Sequence, residues 1–194
     1  MNATVRKRDF QKSAVYLWEQ SLPGFKRDFD GPQMPIEWCT HLVFDVWRSY
    51  FPGEAPPVVK HKRGGGNATG WDEEIALPSW AWRRSIVLHE TAHALIHKYQ
   101  LKEYGGRFAY AAHGPEFARL LACLLTAWGE EDEEEIIRIG LTQRPTPVRF
   151  AAPDRIPHPV KEPERLVKAA AKPPVFTRRI VDTQLSLFLQ TKGK

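Results

Sequence analysis

His89-Glu90-Thr91-Ala92-His93 sets two imidazoles four positions apart with a carboxylate between them. On a helix, positions i and i+4 share a face. Two rings so placed can hold one Zn²⁺, while the glutamate reaches an activated water as general base. The spacing therefore predicts a helix, and its surroundings agree. Ser79 follows Pro78 where an N-cap would stand, and residues 80–100 contain neither Pro nor Gly.

Two histidines leave a catalytic zinc one protein ligand short. The metzincin spacing is excluded, because Leu95 and Tyr99 occupy the positions where it needs Gly and His. His97 lies four residues beyond His93, but eight residues of helix rise about 12 Å. That is too far for His89 and His97 to share an ion at ~2 Å each, so His97 belongs outside the ligand set. His113 is the better third ligand, since the Gly105-Gly106 turn lets the chain fold back over the helix. Glu116 is the alternative, because a carboxylate third ligand is also common.

HExxH followed by His113-Gly114-Pro115-Glu116-Phe117 resembles the SprT-like zincins, which include the Spartan proteases that degrade DNA-crosslinked proteins. The stretch Ile75-Ala76-Leu77-Pro78-Ser79-Trp80-Ala81 ahead of Leu88-His89-Glu90 also resembles a group of small actinobacterial metallohydrolases. The likeness covers residues 8–128. It implies a compact zincin-type α+β domain with Zn²⁺ on His89, His93 and His113 and Glu90 as the catalytic residue. It also implies an edge strand before the catalytic helix that pairs with an extended peptide, a mode in which backbone hydrogen bonds supply affinity without demanding a sequence. Zincins often use Tyr, His or Arg to polarise the scissile carbonyl. Tyr104, Arg107 and Tyr110 are the candidates here, and nothing in the sequence selects among them.

Elements around the motif follow from period and punctuation. Residues 8–19 carry Phe10, Ala14, Val15 and Trp18 on one helical stripe. Pro23-Gly24 and Gly31-Pro32 mark 21–34 as a loop. A helix from about Pro35 to the Pro52-Gly53 stop buries Ile36, Cys39, Val43, Val46, Trp47 and Tyr50. Residues 58–62 and 68–77 read as two strands joined like a hairpin through Arg63-Gly64-Gly65-Gly66, the second being the candidate substrate edge. Gly114-Pro115 opens a helix through Trp128 with Phe117, Leu120, Leu121 and Leu124 inward. The acidic run at 130–135 leads into a short solvated helix.

The whole chain, 194 residues with 42% hydrophobic composition, suits one domain with appendages. No apolar run approaches the ~20 residues of a membrane span, and the charged first residues lack a following apolar stretch, so no signal peptide is expected. Cys39 and Cys123 are too few for a disulfide framework or for the C-terminal zinc module some SprT-like proteins carry. A cytoplasmic, nucleoid-associated setting is the expectation.

The net charge of +5 is concentrated in the tail. Residues 1–141 hold 17 Lys+Arg against 19 Asp+Glu, and residues 142–194 hold 11 against 4. A basic tail on a near-neutral domain points to DNA as partner. With eight of the sixteen prolines, 142–179 reads as a disordered linker after a domain at 1–141. In 180–194, Gln184-Leu185-Ser186-Leu187-Phe188 resembles the short peptide by which bacterial replication and repair proteins bind the DNA sliding clamp. The resulting expectation is a zinc endopeptidase acting on DNA-bound proteins at replication sites. A non-catalytic DNA-associated regulatory or anti-restriction protein and a hydrolase of small amides are the alternatives.

Overall fold

The computed structural model describes residues 9–105, 109–129 and 131–160. Arg107 and the whole Gln184, Leu185, Ser186, Leu187, Phe188 motif lie outside the described residues. Among those described, six α-helices and a three-stranded sheet form an α+β arrangement. None of these helices is long and apolar enough to cross a membrane.

Helix α4 (Arg84–Tyr104) is the central element, packed between α3 (Ile36–Tyr50) and α5 (Pro115–Trp128). That position explains why it is buried around much of its circumference, through Val87, Leu88, Ala92, Ala94 and Leu95. The flanking helices are amphipathic as their spacing predicts. Cys39, Val43, Val46, Trp47 and Tyr50 of α3 are buried, as are Phe117, Leu120, Leu121 and Leu124 of α5. Pro115 opens α5 in its first turn, where a missing N–H costs nothing. Helix α4 ends where Gly105 takes φ +59, a left-handed conformation that glycine adopts without penalty.

Its start departs from expectation. Ser79 opens a separate 3₁₀ turn (Ser79–Ala81), and α4 begins only at Arg84. The cap comes from elsewhere: the Asp28 carboxylate accepts from the Ser85 backbone N–H at 2.7 Å. Asp28 belongs to α2 (Pro23–Asp30), inside the stretch expected to be a loop. Pro23 serves as the first residue of this helix, and Phe25 stacks on Phe29 one turn later at 4.5 Å. Arg83 ties the same corner by donating to the carbonyls of Asp28 and Gly31.

The predicted hairpin is not formed. Strand β1 (Val58–His61) runs parallel to β3 (Glu74–Leu77), Val58 opposite Glu74 and His61 opposite Leu77. Strand β2 (Thr69–Gly70) lies antiparallel on the other side of β3. A turn closed by the Trp71 N–H on the Glu74 carbonyl, at 2.9 Å, splits the single strand expected at 68–77. Glu74–Leu77 is therefore the middle strand and not the candidate substrate edge; of residues 68–77 only the two of β2 keep an edge position, the other edge being β1.

Strand β2 presses directly on α4. A Cβ on Gly70 would stand 2.0 Å from the Glu90 carbonyl oxygen and 2.7 Å from its carbon. Both neighbours are helix backbone and cannot yield. Gly70→Ala should therefore destabilise the fold by about 2–4 kcal/mol, more than ordinary overpacking against mobile side chains. Urea unfolding tests this, and a loss below about 0.5 kcal/mol would mean that β2 is free to lift off the helix.

The chain beyond residue 142 also differs from the expected linker, as far as it is described. Val148, Ala151 and Ile156 are buried. Gln11 exchanges two hydrogen bonds with Arg149, and the Val160 N–H donates to the Ser49 carbonyl at 2.7 Å. Phe150 meets Trp18 edge-on at 5.3 Å, next to Gly140 of α6 (Glu133–Thr142). Each isolated apolar residue finds its own slot in the domain, so burial offsets ordering even without a regular element.

Candidate metal centre

Helix α4 presents His89, Glu90 and His93, and the turn before α5 returns His113 to them. The three imidazoles offer ring nitrogens that all lie within 4.8 Å of one another, and His89 and His113 are each about 5% exposed. The Nε2 atoms of His89 and His93 are 3.1 Å apart. His113 Nε2 is buried with no hydrogen-bond partner. An orphaned, buried ring nitrogen beside two other imidazoles is what a metal ion would satisfy. The residues present thus fit a metal held by three imidazoles.

Phe117 forms one wall, stacking on His93 at 4.3 Å and meeting His89 and His113 edge-on at 5.0 and 5.1 Å. The opposite side is supplied by the N-terminal helix α1 (Lys12–Ser21), whose contribution the sequence did not reveal. Tyr16 stacks on His89 at 5.6 Å and points an edge at His113 at 5.1 Å, while 38% of it remains exposed. Glu19 accepts from His89 Nδ1 at 2.8 Å, and Asp9, just ahead of α1, accepts from His113 Nδ1 at 2.7 Å. Helical periodicity on α1 marks Val15 and Trp18 as core and draws attention away from Tyr16. A charged Glu19 at an inward position was the one visible anomaly.

Electrostatics follow burial. The Glu90 carboxyl is pushed above its ordinary range by burial and by the Glu19 charge, although His89 pulls the other way. Burial pushes the Tyr16 phenol up to about 12, helped by the charges of Glu90, Glu19 and Asp9. His93 is driven well below its ordinary value by burial and by its two histidine neighbours, which keeps it a neutral donor. His113 is also lowered by burial despite Asp9. Of the three only His89 is raised: burial pulls it down, but the charge and hydrogen bond of Glu19 and the charge of Glu90 together outweigh that pull.

The remaining expected participants lie elsewhere. Glu116 is buried but turned to Arg155, 2.8 Å away, and stands outside the imidazole cluster. His97 pairs with Asp72 at 2.6 Å and abuts Trp71, outside the ligand set as its rise predicts. Tyr104 and Tyr110 face each other, hydroxyl to hydroxyl at 3.0 Å, and Tyr110 also donates toward the Arg155 carbonyl. No protein-family model matches the chain, and neither the curated proteins nor the solved structures compared with it give a match.

Proposed function

We propose that the chain is a zinc-dependent endopeptidase of the SprT-like zincin type, acting on DNA-associated proteins. The observation that carries this is the convergence of three imidazoles, those of His89 and His113 buried and that of His93 half-buried, with Glu90 next to them. When bound there by His89, His93 and His113, zinc would supply Lewis acidity and make water nucleophilic near neutral pH. Glu90 then takes the proton of the attacking water and delivers it to the leaving amine. Its raised pKa, from burial first, makes it a stronger base than an exposed carboxylate. Tyr16 replaces Tyr104 and Tyr110 as the donor to the developing oxyanion, since it alone of the three touches the imidazole cluster while staying partly exposed.

The DNA-directed part rests on the tail. The basic residues of 142–194 favour phosphate, and Gln184-Leu185-Ser186-Leu187-Phe188 would tether the enzyme to the sliding clamp and so to replication sites.

The deciding experiment uses the full chain on casein and on a DNA-bound protein, with and without single-stranded DNA. Cleavage should appear, vanish with a chelator and return with zinc. A zinc-loaded chain that cleaves no protein would favour a DNA-associated binding module. In the same assay Tyr16→Phe should lower kcat about 100-fold while leaving KM and zinc content near wild type. An unchanged kcat would remove Tyr16 from the mechanism.

A further inference from the structure

Two carboxylates that the zinc reading does not require sit directly behind two of its three ligands. We propose that Asp9 and Glu19 are positioning residues for the metal, so that the N-terminal helix, and not the HExxH helix alone, sets the affinity of the centre. This rests on the metal-binding half of the proposed function and not on its peptidase half.

Glu19 is 5% exposed, on a helix face otherwise given to Ala14, Val15 and Trp18. Burying a carboxylate there is costly unless it is well bonded. Its bond is to His89 Nδ1, seventy positions along the chain. Asp9 does the same for His113 across 104 positions. In each case the Nδ1–H is committed to a carboxylate, which selects the tautomer whose Nε2 lone pair is free and stops the ring from rotating. The direction is right: Nε2 of His89 lies 3.1 Å from Nε2 of His93, and Nε2 of His113 is the buried nitrogen without a partner.

The arrangement is asymmetric. Among the described residues no carboxylate backs His93 in this way; its ring is held instead by the stack on Phe117. His113 stands on a turn outside regular structure, so its ring depends most on Asp9. Together with Glu90, the two carboxylates surround three imidazoles with negative charge, which suits a divalent cation over a neutral ligand.

Zinc dissociation constants measured on the full chain by competition with a chromophoric chelator test the proposal. Asp9→Asn and Glu19→Gln should each weaken zinc by about 10–100-fold, and the double variant by roughly the product, since they act on different ligands. Asp9→Ala should do more harm than Asp9→Asn, whose carbonyl oxygen can still accept from Nδ1–H. Cobalt-substituted protein should show a changed ligand-field spectrum in both variants. The circular dichroism and melting temperature of the metal-free isosteric variants should stay near wild type. Zinc affinity within threefold of wild type in both single variants would overturn the proposal. So would a loss of affinity matched by an equal loss of metal-free structure, which would make the carboxylates ordinary braces. If these variants weaken zinc but wild type cleaves no protein, the peptidase reading fails and this one stands. If cleavage is intact and zinc affinity does not change, only this one fails.

Discussion

His113→Ala should leave a folded chain that no longer retains zinc. Wild-type protein is expected to carry about one zinc per chain, held by three protein ligands with a fourth position open to water. Removing His113 leaves only the two helix imidazoles, whose Nε2 atoms are 3.1 Å apart. Zinc content after dialysis should drop to near background and peptidase activity by at least about 10³-fold, since zinc supplies several kcal/mol of charge stabilisation in the transition state. Stability should respond only when metal is present. At free zinc about 1,000-fold above its dissociation constant, binding to the folded state alone adds about 4 kcal/mol. The variant should therefore lose the zinc-induced rise in melting temperature. Glu116→Ala is the control: Glu116 is turned to Arg155, so its loss should leave zinc in place. Full zinc in His113→Ala together with metal loss in Glu116→Ala would reverse the ligand assignment.

Glu90→Gln should separate chemistry from structure. The amide keeps the shape of a side chain only 7% exposed but cannot accept a proton from water. Hydrolysis should fall about 10²–10⁴-fold, the range for a positioned general base, with zinc still bound. The same change should not weaken the fold. Burial holds the Glu90 carboxyl above its ordinary range, so its neutral form is the one that folding favours. The stability such a group contributes is present below its unfolded pKa and lost as pH rises through the raised folded value. A neutral amide avoids the burial of charge at any pH where Glu90 is ionised. Urea midpoints at pH 7 should be equal to or above wild type. Residual hydrolysis within threefold of wild type would exclude Glu90 as the base.

What the sequence alone determined was local. The i, i+4 spacing of His89 and His93 requires a helix and a shared face, and the absence of Pro and Gly over 80–100 permits one. The stripes on α3 and α5 were legible for the same reason, because a period of 3.6 with aliphatic side chains has one low-energy solution against a core. His97 could be excluded by helical rise alone. His113 could be favoured over Glu116, but its convergence with His89 and His93 shows only in three dimensions.

Other features depended on long-range contacts that local pattern does not encode. Pro23-Gly24 reads equally as a turn and as a helix start, and Asp28 capping Ser85 is part of what places α2 against α4. The stretch at 68–77 mixes strand formers with Gly70 and Asp72-Glu73-Glu74, and neither the turn that breaks it nor the parallel partner of 74–77 follows from local pattern. Val148, Phe150 and Ile156 lack any period, so burial appears only once the domain offers a slot for each. The carboxylates behind the histidines are the extreme case. Glu19 and Asp9 meet His89 and His113 across seventy and 104 positions. A hydrogen bond needs only a donor and an acceptor about 3 Å apart and leaves no spacing in the chain. Tertiary structure alone could bring them there.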